Sequence, residues 1–204
     1  MTRQSTFLRT MAGSALAVAV AALAAVSVTG ARAQSAWFDS DAALGVFHER
    51  VDSYAALHRR LAPPPAAANS TDPLSRLLTS HYLASAIRSS RRTSQQGDIF
   101  TPHVATVFRQ LLADSIGERD GETFLAELSG SEVVPHGMHP TVNEPYSMTA
   151  VFRVPPDVRL GLPPLPAELD YRIAAHDLLL WDIYAGIVVD FVPNAFVTPV
   201  VTEE

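Results

Sequence analysis

There is no cysteine in this 204-residue chain. That excludes a disulfide framework, a thiolate metal site, a Cys nucleophile and a lipid-modified N-terminal Cys. Lysine is also missing: all 15 basic residues are Arg, which reads as compositional bias and not as function. The ten glycines form neither a Walker loop nor a dinucleotide fingerprint. Ser129-Gly130-Ser131 is not a nucleophile elbow, which needs G-x-S-x-G between a strand and a helix. His48-Glu49-Arg50 begins like a zinc-protease motif, but Asp52 stands where the second His is required. Positive charge is scarce. The formal charge is −6, which argues against a nucleic-acid binder and against adhesion to anionic lipid.

What is present begins with an export signal. Arg3 and Arg9 open a short polar start, and Met11 to Val28 is an uncharged stretch of 18 residues, mostly Ala and Val. Gly30-Ala31-Arg32-Ala33-Gln34 places small residues at the −3 and −1 positions for cleavage after Ala33. We therefore expect residues 1–33 to be a cleaved signal peptide and the product to be periplasmic or secreted, with no membrane association. Those 33 residues hold three of the 15 Arg and no acid, so the other 171 carry 12 Arg against all 21 acids, a charge of −9. That length suits a single exported domain, residues 34–204.

The fold class expected is α+β: about four helices over residues 38–130, a Pro-rich connector over 131–167 and a β-hairpin over 168–192, packed on the helices. The first helix starts near Asp39 or Ser40 as N-cap and ends at Pro63-Pro64-Pro65. Its apolar face is Leu44, Phe47, Val51, Tyr54, His58 and Leu61, spaced by three and four. Asp72-Pro73 opens the second helix, with Leu74, Leu77, Leu78, His81, Tyr82 and Ile87 as its face and Gly97 as its stop. Thr101-Pro102 opens the third, with Val104, Val107, Phe108, Leu111, Leu112 and Ile116 inward and Gly117 closing. Asp120 to Ser129 forms a short fourth, ended by Gly130.

Eight prolines lie between Ser131 and Pro166, so no regular helix persists there. Val142, Tyr146, Phe152, Leu160, Leu162 and Leu165 predict that this segment lies ordered across the helices, with Met148 to Val154 as a strand. Beyond it, Leu169 to Ala174 and Leu178 to Val192 read as two strands. Alternation puts Leu179, Trp181, Ile183, Ala185, Ile187, Val189 and Phe191 on one face and Asp182, Tyr184, Gly186 and Asp190 on the other. Parity then requires a three-residue loop, Ala175-His176-Asp177, with Leu169 opposite Ile183 and Tyr171 opposite Trp181. The distal half of the 15-residue strand, Gly186 to Val192, would lack an intrachain partner unless Met148 to Val154 pairs with it, an edge open to self-association.

Three stretches occur together: Gly97-Asp98-Ile99-Phe100-Thr101-Pro102, Val142-Asn143-Glu144-Pro145-Tyr146, and LPPLPAELDYR (Leu162 to Arg172) leading into DLLLWD and VVDF. This set resembles a family of exported bacterial proteins of unknown function. The resemblance implies an exported protein that folds as a unit and carries no activity over. The hairpin alone resembles that of small periplasmic nickel/cobalt-homeostasis proteins of the RcnB type.

Few residues carry chemistry. His136 and His139, with Glu144 and Asn143 near and His103 from elsewhere, are the metal candidates. Asp170 and Asp182 fall opposite one another in the expected register, close enough for split pKa values, with Arg172 beside them to neutralise the pair. Asp98 and Asp190 read as capping or turn residues. His58 and His81 read as hydrogen-bonded core histidines, and Arg59, Arg60, Arg88, Arg91 and Arg92 as solvated helix faces. No cofactor is expected. The function expected is a non-catalytic binding or protein-interaction module of the cell envelope, its partner an envelope protein or a small ligand. The alternative is a hydrolase or metal-dependent enzyme using Asp170/Asp182 or His136/His139.

Overall fold

Helix α1 occupies residues 39–61 and stops where Pro63 begins a run that cannot continue it. Asp39 and Ser40 are already helical, so neither is the N-cap the sequence led us to expect. The computed structural model describes residues 39–63, 71–130, 139–147 and 150–196. The expected signal segment, its cleavage point, His136, Met148 and residues 64–70 lie outside the described residues. The chain divides into two units between Ala42 and Ala43. Residues 39–42 are the described part of the first unit. The second holds the rest of α1 and every other helix and strand.

Helix α2, Pro73–Ser90, is capped by the Asp72 side chain, which accepts from Leu74 N and Ser75 N. It stops at Ser90, short of the Gly97 expected. Arg91 is its C-cap, with its backbone N–H on Ile87 O. Helix α3, Pro102–Ile116, starts at Thr101 and is closed by Gly117. Helix α4, Gly121–Ser129, has Asp120 as N-cap and Gly130 in the left-handed region as C-cap. A fifth, single-turn helix α5, Pro156–Leu160, follows Pro155 in the connector.

Strands β1 (Phe152–Arg153), β2 (Leu169–Ala174), β3 (Asp177–Asp182) and β4 (Ile187–Val192) form an antiparallel sheet in the order β1-β2-β3-β4. The fold is thus α+β, with a helical N-terminal region and a C-terminal sheet packed on it. Two expectations are corrected. The long second strand is two strands, because Ile183 to Gly186 turn the chain back. The β2–β3 loop has two residues, Ala175 and His176, so Leu169 faces Asp182 and Tyr171 faces Leu180.

The parity argument failed because it assumed one wet face. In fact β3 and β4 are buried throughout. Leu169, Tyr171, Ile173, Leu178, Leu180, Ile187 and Val189 join Phe47, Val51, Phe100 and Phe108 of the helical side in the main core. On the other face Ala174, Leu179, Trp181, Val188 and Phe191 are covered by Val142, Tyr146 and Val151 of the connector. The connector is therefore divided: Val142, Tyr146 and Val151 lie across the sheet, whereas Val154, Val158 and Leu162 join the helical side of the main core, as expected, with α5 against α3. Leu160, expected to be buried, is 88% exposed.

The same connector closes the edge of β4. Asn143 N donates to Val188 O, and Val188 N donates to Glu144 O. Arg91 Nη1 donates to Val189 O and Gln96 Nε2 to Phe191 O. The strand edge on which self-association was expected to rest is occupied from within the chain.

Candidate functional site

Tyr54 and His58 stand one helical turn apart on α1, so both side chains leave the same face. That face meets the end of β3. Tyr54 Oη donates to Asp182 Oδ2 at 2.7 Å, and His58 Nδ1 lies 2.6 Å from the same oxygen. The other oxygen, Oδ1, accepts from Tyr184 N and Ala185 N at 3.0 and 2.8 Å. Asp182 thereby folds the β3–β4 turn over its own side chain, an arrangement aspartate favours. Gly186, at φ 68, completes the reversal.

Asp182 is fully buried, yet all four of its contacts are with hydrogen-bonding groups. Burial, then the Asp182 charge, then the hydrogen bond to Asp182 push the Tyr54 hydroxyl far above its ordinary pKa. Tyr54 therefore stays a donor. Because a carboxylate only accepts, neutral His58 must carry its proton on Nδ1. Its Nε2 has no partner among the described residues and is not among their buried unpartnered side-chain nitrogens.

His58 lines a groove of about 900 Å³. One wall is the end of α1, with Arg59. A second is the first half of α2, with Arg76, Leu77 and Ser80. The third is Glu168 and the turn residues Ile183 and Tyr184. Ser80 Oγ donates to Ala185 O, which ties the turn to α2 as Asp182 ties it to α1. Tyr184 sets its ring edge-on to His58, 5.7 Å between centroids. Leu77 is 54% exposed and Tyr184 51%. Leu74, Leu78 and Tyr82 are also exposed, so most of the face expected on α2 is open; Ile87 of that face is buried as expected, and Leu83 and Ala84 pack inward with it.

The paired aspartates of the expected site are not assembled. Asp170 is opposite Trp181 and Asp182 opposite Leu169, so the two carboxylates leave opposite faces of the sheet. Asp170 is held between Arg159 and Arg172, the latter at 3.0 Å. His136 lies outside the described residues. His139 Nδ1 is 2.7 Å from Asp177 Oδ2, and Glu144 meets Arg88 at 3.5 Å. Among the described residues no group of three or more His, Asp or Glu could hold a metal ion.

Three other expectations met different fates. Asp190 lies within β4 and not in a turn, but its carboxylate caps the backbone of the turn before α3. Its Oδ1 accepts from Gly97 N and Phe191 N, its Oδ2 from Ile99 N and Phe100 N. Burial pushes its carboxyl above the usual range, while those four N–H groups pull the other way. His58 is a bonded core histidine at 4% exposure, whereas His81 is exposed. Arg91 is not a solvated cation: it bonds Asn143 Oδ1 at 2.7 Å and lies 5.0 Å over the Tyr54 ring.

The role of His58 toward Asp182 was missed because the two lie 124 residues apart. The signal in the sequence was Asp182-Ile-Tyr-Ala-Gly186, an Asx-type turn ending on glycine. No protein-family model, no curated protein and no solved structure matches this chain. No helix among the described residues is long and apolar enough to cross a membrane.

Proposed function

We propose that this chain is an exported binding module of the cell envelope, released by cleavage after Ala33, whose ligand is a small molecule held in the groove beside His58. The carrying observation is the exposure of Leu77, Ile183 and Tyr184 on walls of one groove in which one polar group, His58, is oriented from behind by a buried carboxylate. Mostly apolar walls with a few fixed polar groups are the usual make-up of a ligand site. The signal pattern at residues 11–34 and the resemblance to exported proteins support the location.

The enzyme built on Asp170 and Asp182 loses its support, since those carboxylates point apart. Native mass spectrometry of the protein from the exported fraction of its own host tests the reading. The expected spectrum shows a chain beginning at Gln34 with a retained small molecule, absent from a Leu77→Asp variant. A bare chain in both preparations would overturn the ligand. A mass beginning at Met1 would overturn export with cleavage.

A further inference from the structure

Resting on the groove as the ligand site, we infer that its ligand is an amphiphilic acid, an apolar chain ending in a carboxyl group. Three observations point there. First, the groove is more positive than the chain around it. In a protein whose acids outnumber its Arg by 21 to 15, the groove is lined by Arg59, Arg76 and a single acid, Glu168. Arg59 is already committed to Glu168, Nε to Oε1 at 2.6 Å and Nη2 to Oε2 at 3.0 Å. Arg76 has no ion-pair partner among the described residues, although its charge acts on Asp72, the N-cap of the same helix. Arg76 is thus the groove's one Arg outside a direct ion pair among the described residues.

Second, His58 offers a single atom. Nδ1 is held by Asp182, so Nε2 is the ring's remaining polar atom in the groove. A carboxylic acid suits this position. A carboxyl oxygen and Nε2 can share one proton while Nδ1–H stays on Asp182. Arg76 meets the remaining charge. A neutral alcohol would gain no charge attraction from Arg76, and a cation would be repelled by it.

Third, apolar surface continues outward from these groups. Leu77 lines the groove with Ile183. Leu74 and Leu78, one helical turn or less away on α2, are exposed beside it. A polar head at His58 and Arg76 thus has an apolar path for its tail. The groove of about 900 Å³ has room for a chain of this kind.

Calorimetric titration of the mature protein with dodecanoate, dodecanol and dodecyltrimethylammonium tests the assignment. Dodecanoate should bind about tenfold or more tighter than dodecanol, the effect of one charge-assisted contact, and the cation should bind weakest. Arg76→Ala changes an exposed helix residue and should bring dodecanoate down to the level of dodecanol without altering the thermal midpoint. His58→Gln should act in the same direction. Leu77→Asp should weaken dodecanoate and dodecanol alike. Equal affinity for all three probes would overturn the acid head while leaving an apolar groove. Binding of none of them would overturn the groove itself.

Discussion

Asp190 and Asp182 are both fully buried, both on the last hairpin, and both saturated with hydrogen bonds, yet their surroundings differ in kind. Around Asp190 every donor is a backbone N–H, from Gly97, Ile99, Phe100 and Phe191. A backbone N–H can only donate, and its place is fixed by the chain. Around Asp182 the donors divide. Oδ1 takes two backbone N–H groups, while Oδ2 takes a phenol and an imidazole. Those two can reverse their role, and one of them borders the groove. The first carboxylate is a closed fastener between the α2–α3 segment and the sheet. The second is a fastener with one adjustable side, and that side is the one where a ligand is proposed.

Replacing each carboxylate by its amide sets the two apart. Asp190→Asn turns an amide NH₂ toward two fixed N–H donors. We expect it to remove about 3–5 kcal/mol, as for other broken buried charge contacts, measured by urea unfolding. Asp182→Asn should lose only about 1 kcal/mol. Its carbonyl stays on Tyr184 N and Ala185 N, while its NH₂ donates to Tyr54 Oη and to His58 Nδ1. The consequence is a changed tautomer. Nitrogen-15 NMR should find the neutral His58 proton moved from Nδ1 to Nε2. An equal loss of stability in the two variants, or an unmoved proton, would erase the distinction between the two carboxylates.

Tyr54→Phe sharpens the same contrast. It removes one donor and leaves His58 and two backbone groups on Asp182, so about 1 kcal/mol should be lost. The smallest effect belongs to the rim. Arg59→Ala breaks a pair whose Arg is largely exposed and screened by solvent, so it should shift the unfolding midpoint least of these variants. The hydrogen bond from Arg59 holds the Glu168 carboxyl below its ordinary range. Its stabilisation is therefore complete above the ordinary Glu range and is lost as pH falls through the lowered value. Glu168→Gln should remove that part of the acid dependence, measured as unfolding midpoint against pH. A variant with an unchanged acid limb would show that this pair adds nothing measurable.

Much of this frame was legible in the chain. Asp72-Pro73, Thr101-Pro102 and Asp120 mark helix starts in one dimension, since capping involves residues two or three apart. Phe47, Val51, Tyr54 and His58 gave the buried face of α1 by spacing alone. The sheet was harder to read. Leu178-Leu179-Leu180-Trp181 is a continuous apolar run, the mark of a strand covered on both faces. Reading it as alternation moved the register by one and placed Asp170 opposite the wrong partner. The face of α2 was misread for a related reason. Periodicity says which residues share a side, but not whether anything stands there. Leu74, Leu77 and Leu78 have the pattern of a core and the exposure of a surface.

The hydrogen bonds on Asp182 also say something about the order in which the protein can be completed. Tyr54 and His58 reach across 128 and 124 residues to find their acceptor. A chain made or threaded from its N-terminus presents α1, α2 and α3 long before β3 arrives. Until then Phe47, Val51 and Tyr54 have no sheet to cover them. Such late, distant closure slows folding and lengthens the life of sticky intermediates. A chain cut short before Asp182 would keep its helices' sequence and have no groove, no Asp182 fastener and an uncovered core face. The closing hairpin thus doubles as a completeness check, for only a copy that reaches the β3–β4 turn acquires the groove.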